Sequence, residues 1–453
     1  MKFRISQIAA CVAVGLLAGS FLSEPVQAQT YNVLHTFTCD PDGKWPSSGL
    51  LRTASGDLYT TTFVGGAHGA GAVFKLSENG DETVLYSFTG GADGGNPQVN
   101  GSLIQDKLGN LYGVTNGGGA SACGVIFKLS PDGTETVLHT LSCLDGANPL
   151  GGLTRKAEGN FYGTAYFSDN GAGVVFRLTP GGIYKVLYEF TGGADGGGPY
   201  GDLLLDHAGN LYGSATFGGA FGQGAIFRVT PAGKETVLYS FTGGADGGVP
   251  VGLSLDDSGT FYGMTQVGGD YGAGVAFRLS PQGMYTVLHS FGGTDDGILP
   301  TASPIQDSAG NLYGTTLGGG TYGAGNVFEL SPTGAETVLY NFTGGADGAY
   351  PFGGNLVLDA SGTLYGTAFS GGSFGCGVVF SLTTCSDEQF GDSCGHDRQG
   401  GAVSVQSPSP INRSSMAGVV EPRFRGQGIF VRLPGDRHFP VYRPLAPGTR
   451  PSD

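Results

Sequence analysis

Short hydrophobic segments recur along this chain, and the same few motifs return in each group of segments. The dipeptide Leu-Tyr or Phe-Tyr occurs at intervals of 50 to 53 residues and ends at Tyr59, Tyr112, Tyr162, Tyr212, Tyr262, Tyr313 and Tyr365. A second motif follows in step and ends at Phe74, Phe127, Phe176, Phe227, Phe277, Phe328 and Phe380. A regular period of this length predicts a repeat protein whose units pack on one another.

Each repeat contains four segments with the composition of β-strands. In residues 98–141 they are QVNGSLIQD, LYGVT, VIFKL and ETVLHTL, which we name strands A, B, C and D. β-Branched and aromatic residues alternate with polar ones inside the segments, and Gly, Asn, Asp and Pro lie between them. Four short antiparallel strands in about 50 residues form one blade of a β-propeller. The sequence therefore predicts an all-β fold.

The two ends of the repeat region hold incomplete repeats that complement each other. A strand D, YNVLHTF, precedes the first strand A, and the last repeat stops after its strand C, VVFSL. A solenoid would need capping repeats at these ends. Pairing of the two partial units instead closes a ring. We therefore predict a seven-bladed β-propeller of four-stranded antiparallel blades, closed by the N-terminal strand.

Four cysteines occupy only two repeat positions, the entrance of strand C and the exit of strand D. These positions are neighbours in an antiparallel hairpin, and both are cysteine only in the second blade and in the composite last blade. We therefore predict the disulfides Cys123–Cys143 and Cys39–Cys376, the second of which would latch the ring. An exported protein permits such bonds. Cys385 and Cys394 remain as a candidate third pair.

The first 28 residues have the pattern of a secretory signal peptide. Lys2 and Arg4 precede the apolar stretch IAACVAVGLLAGSFL, and a small-residue cleavage site ends at Ala28. We expect residues 29–385 to form the propeller of a secreted, periplasmic or cell-surface protein. No later apolar run reaches the ~20 residues of a membrane span, so we expect none in the mature chain.

Composition is consistent with many short strands and turns. Gly accounts for 87 of the 453 residues, and 39% of the residues are hydrophobic, a share that argues against disorder. The net charge of −15 makes a nucleic-acid partner unexpected, and we expect a monomer. Residues 386–453 are rich in Arg, Pro, Gly and Ser and read as disordered. A sorting signal, a disordered extension and a reading-frame shift are the alternatives for this tail.

The recurring pattern resembles the bacterial GloVer tandem-repeat family of choice-of-anchor proteins. The match is carried by GTLYGTAFSGGSFGCGVVFSL and GNLYGTTLGGGTYGAGNVFEL and covers roughly residues 31–384. The resemblance implies an exported bacterial protein with a variable C-terminal sorting signal, and it implies no particular activity. This chain departs from the family at its tail, which has no apolar anchor segment. A looser similarity of DxxGNLYG to turns in streptogramin lyases transfers no function.

An Asp-Gly-x-x-Pro motif follows every strand D. In a propeller these loops share one face with the glycine-rich loops between strands B and C, so that face would carry seven carboxylates. In the structural interpretation each Asp caps its own turn and the Pro opens strand A. In the functional interpretation the acids contribute to a calcium or polyol site, although one Asp per loop is too few for a cage. The acids are Asp42, Asp93, Asp145, Asp195, Asp246, Asp296 and Asp347.

Rings occur on the same face at positions that differ between repeats. The B–C loops carry His68, Phe221, Tyr271, Tyr322 and Phe374 at one equivalent place. Beside the Asp-Gly-x-x-Pro motifs lie Trp45, Tyr200, Tyr350 and Phe352. Such rings can stack on sugars. The alternative is that they fill gaps between adjacent loops.

The sequence contains no established catalytic motif. HxH and HExxH are absent, no GxSxG lies between a strand and a helix as in a nucleophile elbow, and no GK[ST] follows the glycine-rich loops. His35, His139 and His289 replace a strand-D tyrosine, and we interpret them as packed rings. We assign no catalytic residue, no metal ligand and no cofactor, and Ca²⁺ stays open as the one ion that the Asp loops suit.

These observations favour a non-catalytic exported propeller that binds or displays an unidentified extracellular ligand, with polysaccharide as the class that the rings suit. A propeller-type lyase or hydrolase is the alternative. It would need a set of His, Glu or Asp side chains near the central channel, and the repeat pattern reveals none. A purely structural cell-surface protein is the third interpretation.

Overall fold

Seven antiparallel sheets follow one another along the chain in the computed structural model, which describes residues 29–97, 100–292 and 295–383. In each sheet strand A pairs with strand B, B with C and C with D. The described residues contain no helix, and hence none that could cross a membrane. The predicted seven-bladed β-propeller is confirmed.

The inner strands A, some of them in two segments, are Lys44–Pro46 and Leu51–Arg52, Gly95–Pro97 and Ile104–Gln105, Thr154–Arg155, Gly197–Leu205, Gly248–Leu255, Ile298–Pro300 and Ile305–Gln306, and Val357–Leu358. The strands B are Leu58–Val64, Leu111–Gly117, Phe161–Ala165, Leu211–Phe217, Phe261–Val267, Leu312–Gly318 and Thr363–Ala368. The strands C are Ala72–Leu76, Val125–Leu129, Val174–Leu178, Ala225–Val229, Val275–Leu279, Asn326–Leu330 and Val378–Thr383. The outer strands D are Glu82–Ser87, Glu135–Thr140, Tyr184–Glu189, Glu235–Ser240, Tyr285–Ser290, Glu336–Asn341 and Thr30–Thr36. We number the blades 1 to 7 in this order.

The ring closes through the N-terminal strand. Thr30–Thr36 pairs antiparallel with Val378–Thr383, and Val33 lies opposite Phe380. The disulfide Cys39–Cys376 joins the same two segments, and Cys123–Cys143 joins strands C and D of blade 2. Both predicted bonds are therefore present. Cys385–Cys394, the signal peptide and the tail lie outside the described residues.

Phenylalanine packing explains why the repeat motif is kept. The last Phe of strand C is at most 1% exposed in every blade. In six of the seven junctions it contacts a Phe at the exit of the preceding blade's strand D, as in the pair Phe241–Phe277, whose ring centroids are 5.4 Å apart. The ring also lies over the glycine of the Leu-Tyr-Gly motif, since a Cβ on Gly213 would come within 2.6 Å of Phe227. The repeated residues therefore form the contacts between and within blades.

Every strand D carries a β-bulge at the leucine of its Val-Leu motif. In blade 5, Val287 pairs with Phe277 and His289 pairs with Ala276, which leaves Leu288 as the extra residue. A bulge bends the strand and redirects the next side chain. That next side chain is His or Tyr in all seven blades, and it contacts the aspartate of the following loop.

Candidate functional site

The seven aspartates of the Asp-Gly-x-x-Pro loops cap their own turns. In each loop the carboxylate accepts a hydrogen bond from a backbone N–H three or four residues earlier; the Thr242 N–H, for example, lies 2.9 Å from Asp246 Oδ2. The Thr242 hydroxyl also donates to Asp246, and the Tyr239 hydroxyl donates to Oδ2 at 2.9 Å. These contacts agree with the structural interpretation of the motif.

The same contacts keep two of these acids ionised at neutral pH. Burial alone would raise the pKa of Asp93, but hydrogen bonds from Thr89 and Tyr86 outweigh it and hold that pKa below its usual range. Asp42 is 2% exposed, and its pKa is likewise lowered against the effect of burial by His35 and Thr38. The oxygens of both acids accept hydrogen bonds within their own loops.

The fourth residue of each motif, the one before the proline, has a left-handed backbone. Its φ lies between 52° and 63° in Trp45, Asn96, Asn148, Gly198, Val249, Leu299 and Tyr350. Its N–H donates to a carbonyl in the B–C loop of the preceding blade in every case, for example Tyr350 to Ala324 at 2.8 Å. A β-branched residue such as Val249 rarely adopts this conformation. The backbone here is therefore fixed by the junction between blades, while the side chain varies freely.

Three aromatic side chains meet where blade 7 adjoins blade 1. Trp45 stacks on Phe369 with ring centroids 5.5 Å apart and planes 12° apart, and Phe352 meets Phe369 edge-on at 5.8 Å. The Lys44 ammonium lies 5.3 Å from the Trp45 ring. We name Trp45, Phe352 and Phe369 the junction cluster. All three are half-buried, and the sequence analysis missed Phe369, which a comparison of strand-B ends between repeats would have shown to vary.

The B–C loops of four consecutive blades each display one exposed ring. Phe221, Tyr271, Tyr322 and Phe374 are 61%, 71%, 62% and 60% exposed, in blades 4 to 7. We name these four residues the loop rings. His68 occupies the same place in blade 1 and is exposed as well. The glycines around the rings have positive φ, as at Gly222 with φ 78°, and a Cβ on that glycine would meet nothing within 4 Å.

Two other predicted ring positions serve packing. Tyr200 is half-buried against the cluster that contains Val251 and Met264, and Tyr350 packs against the core of blades 6 and 7. Burial raises the pKa of both phenols. For these two residues the gap-filling alternative describes the contacts.

A central cavity contains an acid that the sequence analysis missed. A cavity of about 440 Å³ is lined by Leu204, Leu255, Ile305, Ser303, Asn355 and Asp202. Burial raises the pKa of Asp202 to about 6, although hydrogen bonds from the backbone N–H groups of Gly152, at 2.6 Å from Oδ1, and of Ser102 oppose it. Counting back from the A–B turns, the same repeat position is Gly, Ser or Asn in the other blades. An acid at a repeat position that is otherwise small or polar was the sequence signal that could have pointed to Asp202.

The aspartates of the A–B turns lie on the other face and shape their turns. Asp106 Oδ1 accepts hydrogen bonds from the N–H groups of Leu108 and Asn110 at 2.9 and 3.0 Å. Asp206, Asp256, Asp307 and Asp359 make the corresponding contact with the N–H four residues later. These acids shape their turns through these hydrogen bonds.

Comparison with known proteins identifies the repeat and the fold. A family model described as the Gloeobacter/Verrucomicrobia repeat matches residues 18–206 and 198–401. No curated protein sequence matches the chain. Among solved structures, the extracellular domain of a putative hybrid two-component system from B. thetaiotaomicron is similar at 10% identity and TM-score 0.50. That match covers 79% of this chain and 40% of the other.

Two further solved structures are similar at lower TM-scores. A gluconolactonase from Xanthomonas campestris shares 14% identity over 79% of this chain and 90% of its own, with a TM-score of 0.40. A calcium-binding regucalcin from Agrobacterium tumefaciens shares 16% identity over 78% of this chain and 92% of its own, with a TM-score of 0.41.

Proposed function

Because the chain belongs to the Gloeobacter/Verrucomicrobia repeat family and here builds one propeller from its repeats, we propose that it binds a neutral polysaccharide outside the cell. The single observation that carries this proposal is the series of loop rings on four consecutive blades. The two disulfides fit an oxidising compartment, as an extracellular role requires.

The loop rings have the properties of a stacking surface. Each ring is at least 60% exposed on a glycine-rich loop, so its apolar face is in contact with water in the free protein. The C–H face of a sugar ring can cover that face and remove apolar area from water. Four such contacts on one chain of sugars reinforce one another, because binding of the first places the others at high local concentration.

Charge favours a neutral ligand. The protein carries a net charge of −15, and the face with the loop rings also holds the seven loop aspartates. An anionic polysaccharide would therefore be repelled over long range. The lysine beside the junction cluster, Lys44, is a single positive group on this face and does not reverse that balance.

Binding of soluble polysaccharides to the full-length mature protein tests the proposal. We expect at least one of laminarin, xylan, galactomannan and dextran to bind by calorimetry, and alginate not to bind. The double variant Tyr271→Ala/Tyr322→Ala should weaken binding more than tenfold. Ile183→Ala/Met284→Ala is the matched control, because these side chains are 66% and 67% exposed in C–D turns on the opposite face. Equal affinities of the two double variants, or no binding to any of the four, would favour the purely structural interpretation.

Calcium is a separate outcome of the same experiment. The oxygens of the loop aspartates accept hydrogen bonds within their own turns. A chelator should therefore leave the affinity for the polysaccharide unchanged. Loss of binding with chelator would instead support the calcium interpretation of the Asp-Gly-x-x-Pro loops.

A second candidate function, catalysis in the central cavity, is favoured by Asp202. A carboxyl group with a pKa of about 6 can donate or accept a proton near neutral pH. The cavity walls are mostly apolar, and Ser303 and Asn355 supply polar groups next to the acid. Hydrolysis of the same polysaccharides and of nitrophenyl esters tests it. Turnover that disappears in Asp202→Asn, while polysaccharide affinity is kept, would establish an enzyme; no turnover by the unmodified protein would exclude these reactions.

A further inference from the structure

Each junction between blades brings together three side chains on the outer part of the ring. They are the His or Tyr that follows the bulge of one strand D, the aspartate of the next loop, and a Glu or Tyr at the start of the next strand D, which is the second residue of that strand at Tyr31 and the first in the other six. We call these groups seams. The seven seams are Tyr340/Asp347/Tyr31, His35/Asp42/Glu82, Tyr86/Asp93/Glu135, His139/Asp145/Tyr184, Tyr188/Asp195/Glu235, Tyr239/Asp246/Tyr285 and His289/Asp296/Glu336.

In seams that end in tyrosine, the hydroxyl of that last tyrosine is satisfied without any further group. The Tyr285 hydroxyl donates to the backbone carbonyl of Asp246 at 2.6 Å, and its ring stacks on Tyr239 with centroids 4.1 Å apart. Tyr184 makes the same carbonyl contact with Asp145 and stacks on His139 at 3.9 Å. In these seams every polar atom of the last tyrosine is used and its ring is packed.

Three of the four seams that end in glutamate leave a carboxylate oxygen without a hydrogen-bond partner. Oε1 of Glu135, Glu235 and Glu336 is buried and accepts no hydrogen bond. The Glu336 side chain is 11% exposed. The side chain of Glu82, which ends the seam of His35, is 38% exposed. A buried carboxylate oxygen without a donor or cation is costly.

The seam of His289 combines the Glu336 carboxylate with a nitrogen ligand, which faces Oε2 of that carboxylate. His289 Nε2 lies 3.1 Å from Asp296 Oδ2 and 4.0 Å from Glu336 Oε2, and all three ligand atoms lie within 4.8 Å of one another. One ring nitrogen therefore faces both carboxylates, and the single N–H that it can carry serves only one of them. A cation between the three atoms would be bound by all of them.

The other seam of this composition, at His35, is arranged differently. Its Nε2 lies 3.1 Å from Asp42 Oδ2, whereas Nδ1 lies 3.5 Å from Glu82 Oε2. Asp42 also accepts three hydrogen bonds from Thr38. In this seam each carboxylate faces a different ring nitrogen, so no single point lies between one nitrogen and both carboxylates.

We propose that His289, Asp296 and Glu336 bind one divalent transition-metal ion, with zinc as the best match. Zinc accepts one imidazole nitrogen and two carboxylate oxygens at about 2.0–2.2 Å and completes its shell with water. A nitrogen ligand and only three protein groups disfavour Ca²⁺ and Mg²⁺, which require more oxygens. The ion would join strand D of blade 5 to strand D of blade 6.

Zinc titration of the full-length mature protein tests the site, with stoichiometry from calorimetry and thermal unfolding as readouts. His289→Tyr should remove one zinc equivalent and the associated rise in melting temperature, and it should fold, because tyrosine occupies this position in four other seams. His35→Tyr is the matched control and should change neither value. Residues outside the described part include further Cys and His, so the zinc that remains in His289→Tyr measures their contribution.

A gain of binding provides the converse test. The seam Tyr188/Asp195/Glu235 lacks only the imidazole, so Tyr188→His should add one zinc equivalent. The site is overturned if His289→Tyr binds as much zinc as the unmodified protein, or if only His35→Tyr reduces binding. A folded Tyr188→His variant without additional zinc would show that these three ligand types at a seam do not suffice, which also contradicts the proposal.

Discussion

The amide nitrogen of Val249 lies 2.8 Å from the carbonyl oxygen of Gln223 in the preceding blade, and Val249 reaches this position with φ 55°. The same bond forms at all seven junctions. Most chains would place Gly or Asn at such a backbone conformation, as this one does in blades 2, 3 and 4. The junction therefore imposes its geometry on whatever side chain is present.

Relief of this strain should stabilise the protein. Val249→Asn keeps the bond to Gln223 and replaces a β-branched residue by one that tolerates positive φ, so we expect the free energy of unfolding to rise by about 0.5–1 kcal/mol. The reverse change, Asn96→Val, should lower it by at least as much, because the Asn96 side chain also donates to Phe63 O. Urea unfolding of both variants measures the difference, and a destabilised Val249→Asn would contradict the strain argument.

The two disulfides should differ in their effect on stability because they close loops of very different length. They span 337 and 20 residues. The loop-entropy model predicts that Cys39→Ser/Cys376→Ser lowers the free energy of unfolding by about 6 kcal/mol and Cys123→Ser/Cys143→Ser by about 3 kcal/mol. Equal losses would show that the ring stays closed without its latch, through strand pairing and the Tyr31–Tyr340 stack.

Loss of a loop aspartate should reduce stability and spare ligand binding. Asp246→Ala removes the acceptor for Thr242 and Tyr239, and we expect a loss of about 2 kcal/mol in the free energy of unfolding. Tyr239→Phe removes one of these bonds and should lose about 1 kcal/mol. Calorimetry with the bound polysaccharide provides the second readout. Unchanged stability combined with lost affinity would reverse the assignment of these acids to structure.

Glu235 should make stability depend on pH. Burial, with a contribution from the charge of Asp195, raises its pKa from 4.5 to about 7. Between these values the folded state holds more protons than the unfolded state, so the contribution of Glu235 to stability decreases as the pH rises from about 4.5 to 7. Glu235→Gln should match the unmodified protein near pH 4.5 and exceed it above pH 7, by on the order of 1 kcal/mol after allowance for solvent screening.

Thermal unfolding across this pH range measures the difference between the two proteins. Glu158→Gln is the control, because the Glu158 side chain is 61% exposed and should give a flat difference curve. A Glu235→Gln curve that is equally flat would show that Glu235 is solvated in the folded protein.

The sequence predicted the ring and its closure because the residues that mark both recur at fixed positions of the repeat. The repeated Phe and Leu-Tyr positions mark strands, and Cys39 and Cys376 occupy the two hairpin positions already paired in blade 2 by Cys123 and Cys143. No comparable sequence signal predicts the positive φ of Val249, since valine rarely adopts that conformation. There the bond to the neighbouring blade overrides local preference.

The candidate site was less accessible to sequence reasoning. The exposed loop rings could be recognised because each replaces a small or polar residue in other repeats. Phe369 and Asp202 were missed because their neighbours come from other blades, so that only the folded ring shows what they contact. The seams were missed for the same reason: His289 and Glu336 are 47 positions apart in sequence and belong to different repeats.

The composite seventh blade also has a consequence for the order of events during synthesis. Thr30–Thr36 is made before any other described strand, yet its partner Val378–Thr383 is the last described strand to be made. Until then Thr30–Thr36 has unpaired backbone edges, which are templates for association with a second copy. The growing chain is therefore exposed to domain swapping until Val378–Thr383 is complete, and pairing of these two strands ends that interval.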